Sequence, residues 1–296
     1  MKLKSGIYAA QLVPYSEDGA VMEESLSAMI ERNIKVGKVD GLYIGGSTGE
    51  AFLSSKDAKK RVLEIAAETN DGRVSMIAQV GSINVKEAEE LATLAATLDY
   101  DAVSAVTPYY YKFTFAEICR YYFRLADAAN LPMLVYSIPA FTGISFDMQQ
   151  SKELLRHPLI AGFKYTSNDL FTMERLISTF PDKMIFSGYD ETLICGRVLG
   201  AYGAIGSTYN LFASTAKCIW EQTGNGRLSE ARIAQAKLNN AIQKLSSIGL
   251  YQALKKIIGL SGIDTGGCLP PFAKLSEEQS EMVVSLAKEF EEMGLL

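Results

Sequence analysis

Residues 132–166, PMLVYSIPAFTGISFDMQQSKELLRHPLIAGFKYT, decide the fold, because two short apolar runs are separated there by an amphipathic stretch. The runs begin at Pro132 and Ile160, 28 residues apart. This spacing leaves room for a strand, a helix and two short loops. The segment therefore predicts one βα unit followed by the next strand of a parallel sheet.

The same unit recurs along the chain. Runs with strand-forming composition begin at spacings of 20 to 34 residues, near Ile7, Asp40, Val74, Asp101, Pro132, Ile160, Lys183 and Gly203. Eight βα units in about 220 residues fit a (β/α)₈ barrel better than an open doubly wound sheet. We therefore predict an α/β protein with a TIM barrel over residues 1–225.

Helix signals support this organisation. Ser54–Asp57 precedes a helical pattern over Ala58–Glu68, and Asn84 resembles an N-cap with Glu87 three residues later. After Trp220 the strand pattern stops, and residues 226–296 are predicted to form a helical cap instead of a second catalytic domain. Its helices are expected over Leu228–Ile248, Leu250–Leu260 and Ser276–Met293, with a loop over Gly262–Pro271.

Composition narrows the class of partner. The chain has 296 residues, 29 Lys and Arg against 34 Asp and Glu, and no long basic run. We expect a small-molecule ligand, with no nucleic acid and no membrane as partner. Four cysteines without a C-x-x-C pair and a single histidine, His157, argue against zinc and a disulfide framework. We predict reduced, mostly buried thiols, no metal and a cytoplasmic location.

Polar side chains follow six of the predicted strands. In a parallel barrel the active site lies at the carboxyl ends of the strands, so these side chains are expected to meet at one mouth. The polar segments are Gly45–Glu50, Thr107–Tyr110, Tyr136–Ser137, Lys164–Thr166, Gly188–Glu191 and Gly206–Thr208.

Lys164 ends the apolar run Ile160–Phe163, which places its amine at the edge of a buried strand. Attack on a carbonyl near pH 7 requires the usual pKa of about 10.4 to fall by roughly 3 units through desolvation. Tyr136 lies one strand earlier at the corresponding level, where a phenol can act as general acid or base beside a Schiff-base lysine. The alternatives are a lysine that extends into water and an aromatic that only lines the barrel wall.

Gly45–Gly49 offers backbone N–H groups and the hydroxyls of Ser47 and Thr48 ahead of a helix, an arrangement that binds small anions. The run lacks a neighbouring basic residue and the G-x-x-x-x-G-K-[ST] pattern. A carboxylate therefore fits better than a nucleotide phosphate, and a plain glycine-rich turn is the alternative.

Four of these motifs resemble those of the dihydrodipicolinate synthase and N-acetylneuraminate lyase family of pyruvate-dependent class I aldolases. Their order and spacing match from Gly6 to about Leu211, and the helical tail fits as well. The motifs are Gly45–Glu50, Thr107–Tyr110, Tyr136–Pro139 and Gly162–Lys164.

By this resemblance Lys164 would form the Schiff base with pyruvate and Tyr136 would be the acid–base. Ser47 and Thr48 would hold the pyruvate carboxylate. The imine is the electron sink, so no metal or organic cofactor is implied. A tyrosine among residues 109–111, taken as Tyr110, would enter a neighbouring subunit's site, which implies a homotetramer.

The aldehyde partner is predicted from departures within the family. Dihydrodipicolinate synthases typically carry an arginine after the catalytic tyrosine, where this chain has Phe141. Carboxylates accept hydrogen bonds from a polyol and repel an aldehyde that bears its own carboxylate. Gly188–Glu191, Gly206–Asn210 and Thr166 resemble the sialic acid-cleaving branch of the family. This resemblance implies cleavage of N-acetylneuraminate to N-acetylmannosamine and pyruvate. Its substrate-binding residues would be Ser47, Thr48, Thr166, Gly188, Asp190, Glu191 and Ser207.

Several alternatives stay open. The chain could be another pyruvate-dependent aldolase, acting on a 2-keto-3-deoxy sugar acid or resembling dihydrodipicolinate synthase. From a different class, a non-catalytic regulator that binds a sugar acid could use the same barrel. Asp190 and Glu191 could also be the solvated first turn of the next helix, where acids are favoured.

Overall fold

The computed structural model describes residues 3–296 and contains a closed barrel of eight parallel strands in sequence order. Each strand begins within one residue of its predicted start, which confirms the TIM barrel. Strands β1–β8 span Gly6–Ala10, Gly41–Ile44, Ser75–Gln79, Ala102–Val106, Met133–Ser137, Ile160–Tyr165, Met184–Ser187 and Gly203–Gly206.

Twelve α-helices occur among the described residues, together with short 3₁₀ turns at Ser47–Gly49 and Asp190–Thr192. Helices α1–α12 span Glu23–Lys35, Lys56–Asn70, Val85–Thr97, Phe115–Ala129, Pro139–Thr142, Met148–Leu155, Leu170–Thr179, Leu193–Val198, Tyr209–Gly224, Leu228–Ile248, Leu250–Gly259 and Glu277–Glu292. Across residues 3–296, no helix is long and apolar enough to cross a membrane.

Both predicted helices are found, but α2 begins at Lys56 instead of Ala58, and the cap of α3 differs from its prediction. Ser55 caps α2 by accepting from the Ala58 N–H, and Asn84 caps α3 by accepting from the Glu87 N–H at 3.4 Å. The Glu87 side chain accepts from Lys59 at 2.7 Å. It is therefore engaged with α2 instead of completing a reciprocal capping box.

Aromatic side chains fill the barrel interior. Because side chains alternate along a strand, Leu134 and Tyr136 of β5 point inward, while Val135 packs between the strands and the helices. Tyr8 crosses the interior over Gly41, where an added Cβ would lie 2.0 Å from its ring. In the register of β5 and β6, Tyr136 pairs with Lys164.

The C-terminal helices lie close to their predicted ranges. Helix α10 packs against α9 and against the Asp190–Thr192 turn, and Leu238 and Ile242 join the hydrophobic core that surrounds the barrel. The cap therefore shares a core with the barrel, and the division at residue 225 stays a prediction.

The cysteine prediction is partly wrong. All four thiols are free, but only Cys119 is buried, whereas Cys218 is exposed on α9. The buried face of α9 is formed by neighbours such as Ala216 and Ile219, so Cys218 falls on the opposite face.

His157 stacks on Phe123, with 4.8 Å between ring centres.

Candidate active site at the carboxyl end of the barrel

Lys164 lies on β6 inside the barrel mouth, with 4% of its surface exposed. Its Nζ is 3.9 Å from the centre of the Tyr43 ring and 4.0 Å from the centre of the Tyr136 ring. The amine is therefore enclosed by two aromatic rings, and the alternative that it extends into water is wrong.

Burial determines the ionisation of both groups. Desolvation lowers the pKa of Lys164 to about 7, although the Asp190 carboxylate partly opposes this. A large fraction of the amine is then neutral and nucleophilic near neutral pH. Burial raises the pKa of Tyr136, with the Ser47 hydroxyl partly opposing it, so the phenol stays protonated. The site thus pairs a nucleophile with a proton donor.

The predicted anion-binding run forms a tight turn after β2. Gly45 has a φ of +76°, and an added Cβ there would lie 2.9 Å from the Gln79 carbonyl oxygen. Ser47 and Thr48 begin the 3₁₀ turn, where their N–H groups have no acceptor within the turn. The helix expected directly behind the run is only this turn, since α2 begins at Lys56.

Ser207 lies nearer this turn than the sequence prediction implied. Its Oγ is 2.6 Å from Thr48 Oγ1, which joins the end of β8 to the turn predicted to bind an anion. The residue predicted to contact the sugar therefore also fixes a residue predicted to bind the carboxylate.

The two predicted sugar-binding acids lie in different environments. Asp190 is 5% exposed, and its carboxylate accepts from the N–H of Thr208 at 2.9 Å and from its hydroxyl at 2.6 Å. Burial raises the pKa of Asp190 to about 6 despite these hydrogen bonds. Glu191 is exposed. The solvated-turn alternative is therefore wrong for Asp190, whereas Glu191 does face solvent.

Thr166 and Gly188 fit together beside the lysine. Thr166 is 4% exposed, and its hydroxyl has no hydrogen-bond partner within residues 3–296. A Cβ added at Gly188 would lie 1.9 Å from this hydroxyl oxygen. Gly188 therefore leaves the space that the Thr166 hydroxyl occupies.

Tyr110 is the one predicted catalytic residue that the chain does not bring to Lys164. Its φ is +77°, its side chain is 84% exposed, and its ring contacts Tyr111 with 5.1 Å between centres. Tyr109 instead packs on Phe52 at the mouth. The tyrosine run thus projects its second member outward.

A cavity of about 310 Å³ lies over the mouth, next to Ser47. Phe141, the residue compared above with the arginine of dihydrodipicolinate synthases, lines this cavity. The lining includes no lysine or arginine. The other lining residues are Glu50, Phe52, Leu53, Val106, Tyr109, Ile138, Thr142, Tyr251 and Phe272. Among residues 3–296, no group of three or more His, Cys, Asp or Glu could hold a metal ion.

Sequence reasoning missed several residues around the site. Tyr43 could have been found from strand alternation, since it faces inward on β2. Thr208 stood within the noted polar run after β8. Gln235 and Lys255 come from the cap helices, and their contacts with the mouth left no local sequence signal.

A closed βα barrel with a buried lysine and an adjacent tyrosine at its carboxyl mouth defines an enzyme of the class I aldolase type. The sequence profile of the dihydrodipicolinate synthetase family matches residues 3–290. The chain therefore belongs to that family.

Several known proteins are similar to this chain in sequence or in structure. N-acetylneuraminate lyase of Fusobacterium nucleatum is 47% identical over 285 residues, which cover 96% of this chain and 98% of that protein. The crystal structure of CdNal from Clostridium difficile in complex with mannosamine has a TM-score of 0.95 at 42% identity, covering 97% of this chain and 99% of that chain. The F. nucleatum lyase complexed with pyruvate has a TM-score of 0.93 at 46% identity, covering 97% of both chains.

Proposed function

We propose that the chain is an N-acetylneuraminate lyase, which cleaves this sialic acid reversibly into N-acetylmannosamine and pyruvate. The observation that carries the proposal is the Lys164 amine, buried between Tyr43 and Tyr136, with a pKa lowered to about 7. Full-length similarity to lyases of this name supports the substrate.

In the proposed reaction, the neutral Lys164 amine attacks the C2 keto group of the open-chain sugar acid, and loss of water gives an iminium. Tyr136 accepts the C4 hydroxyl proton as its own phenolic proton passes to the substrate carboxylate, which the turn at Ser47 would hold beside the phenol. The C3–C4 bond breaks, its electron pair forms an enamine, and C4 leaves as the aldehyde of N-acetylmannosamine. Protonation of the enamine at C3 and hydrolysis release pyruvate and regenerate the lysine. No metal or organic cofactor takes part in this scheme.

The other predicted site residues are proposed to bind the substrate, according to where they lie around the barrel mouth. The turn at Ser47 and Thr48 would orient the substrate carboxylate through backbone N–H groups and hydroxyls. Asp190, held by Thr208, would accept hydrogen bonds from the sugar hydroxyls. The other predicted sugar-binding residues are Thr166, Gly188, Glu191 and Ser207.

The cavity over the mouth supports a neutral aldehyde. It is lined without lysine or arginine, and Phe141 stands where a cation would be needed to bind a second carboxylate. Asp190 disfavours such an aldehyde further. Another sugar acid is the nearest alternative substrate, because hydroxyl-binding groups would accept it as well.

We also propose a homotetramer in which Tyr110 enters the neighbouring subunit's site. The outward projection of Tyr110, its exposure of 84% and its positive φ support this. The free thiols fit a reducing compartment, and we propose the cytoplasm.

The test compares initial rates of cleavage of N-acetylneuraminate and of 2-keto-3-deoxygluconate. We expect a clear preference for N-acetylneuraminate. Negligible cleavage of N-acetylneuraminate together with rapid cleavage of 2-keto-3-deoxygluconate would show that the proposed substrate is wrong.

A further inference from the structure

Helices α10 and α11 reach the barrel mouth through two separate buried polar clusters. One ends on the turn predicted to bind the carboxylate, and the other ends on the turn that carries Asp190. We propose that these clusters are clamps that position the two halves of the substrate independently: Lys255 with Glu50 for the pyruvate half, and Gln235 for the sugar half. This inference rests on the proposed function.

The pyruvate-half clamp is an ion pair in the protein interior. Lys255 Nζ lies 2.6 Å from Glu50 Oε1, with side-chain exposures of 2% and 0%. The ammonium also donates to the Gly267 carbonyl at 2.8 Å, and Glu50 accepts from the Leu269 N–H. Both charges are thus paired and hydrogen-bonded, as burial of such groups requires.

Glu50 is joined directly to the anion-binding turn. It follows Gly49, has a φ of +57°, and its N–H donates to the Ser47 carbonyl at 3.0 Å. The Tyr15 hydroxyl holds the Gly49 carbonyl from the other side at 3.0 Å. A side chain fixed by Lys255 therefore determines where the backbone of Ser47 and Thr48 lies.

The sugar-half clamp is a glutamine that satisfies two main-chain groups. Gln235 is 6% exposed, its Nε2 donates to the Asp190 carbonyl at 3.0 Å, and its Oε1 accepts from the Ile194 N–H at 3.0 Å. Asn239 donates to the Glu191 carbonyl at 3.0 Å. The backbone that carries both predicted sugar-binding acids is thus held from α10, while Thr208 holds the Asp190 carboxylate.

The two clamps share no residue, so their effects should separate by substrate. Gln235→Met removes the amide at similar volume, and the exposed Gln243→Met on the same helix is its control. Lys255→Met combined with Glu50→Gln removes both charges together, and the exposed Lys256→Met is its control. Steady-state kinetics are measured in the condensation direction with pyruvate and N-acetylmannosamine.

We expect Gln235→Met to raise the KM for N-acetylmannosamine about tenfold, because the backbone that carries Asp190 is no longer held in position. The KM for pyruvate should stay unchanged. The Lys255→Met/Glu50→Gln variant should raise the KM for pyruvate instead. Both controls should match wild type. Equal changes in both KM values, or changes in kcat alone, would overturn the proposal.

Milder variants decide the matter if a clamp variant does not fold. Asn239→Ala removes a hydrogen bond of the sugar-half clamp and should raise only the KM for N-acetylmannosamine. Tyr15→Phe removes only the hydroxyl that holds Gly49 and should raise only the KM for pyruvate. Wild type inactive on N-acetylmannosamine would overturn the proposed function. In that case, the rate at which borohydride traps the pyruvate adduct tests the clamps independently of the sugar substrate. We expect Lys255→Met/Glu50→Gln to slow trapping and Gln235→Met to leave it unchanged. Any other result would refute the clamps.

Discussion

Lys164 and Tyr136 occupy paired positions on adjacent strands, and the lysine nitrogen lies 4.0 Å from the centre of the tyrosine ring. The contact places an amine with a lowered pKa against a protonated phenol in one buried pocket. In the proposed mechanism, Lys164 forms the imine and Tyr136 transfers the proton, and the two side chains can be removed separately.

Removing the Tyr136 hydroxyl should impair cleavage more than imine formation. We expect Tyr136→Phe to lower kcat for sialic acid cleavage by about 10²–10⁴-fold, the usual contribution of a positioned acid–base. The ring against Lys164 is kept, so the pyruvate adduct should still be trapped by borohydride. An unchanged kcat would exclude Tyr136 as the proton-transfer group.

Lys164 should destabilise the fold most when it must be charged. Its pKa is lowered from 10.5 to about 7, so the unfolded chain binds the extra proton between these pH values and wild-type stability rises with pH through that window. Lys164→Met removes this dependence. Urea unfolding should show the stability advantage of the variant over wild type shrinking by about 2–3 kcal/mol from pH 6 to pH 9. A constant difference would contradict a lowered lysine pKa.

Asp190 should control the pH at which the lysine becomes reactive. Its carboxylate raises the pKa of Lys164, against the larger effect of desolvation. Asp190→Asn keeps an acceptor for Thr208 but removes the charge, so the lysine pKa should fall further. The acid limb of the rate of pyruvate-adduct formation should then move to lower pH. The exposed Glu191→Gln is the control, with a smaller shift, and an unmoved limb in Asp190→Asn would refute the coupling.

Gly188 should be required for stability and activity because the Thr166 hydroxyl occupies the space where a side chain would lie. An added Cβ would lie 1.9 Å from the Thr166 hydroxyl oxygen, so Gly188→Ala should lower the thermal midpoint and the cleavage rate. Removing that oxygen eliminates the shortest contact and leaves the Cβ of residue 166 at 2.9 Å. The stability loss in Gly188→Ala/Thr166→Ala should therefore be smaller than the sum of the single losses. Additive losses would mean that the two residues do not compete for the space.

Sequence patterns predicted the barrel because strand periodicity and spacing are local properties. They also placed Tyr136 beside Lys164, since adjacent parallel strands bring equivalent positions together. The burial of Asp190 next to the exposed Glu191 depends on how α10 packs, which no local pattern encodes. Glu50 and Lys255, 205 residues apart, likewise meet only through tertiary structure.

Schiff-base formation on Lys164 is tested most directly by borohydride reduction in the presence of pyruvate, followed by peptide mapping by mass spectrometry. We expect one reduced pyruvate adduct, located on Lys164 and absent from Lys164→Met. An adduct on another lysine, or no adduct on a folded wild-type protein, would contradict the Schiff-base mechanism.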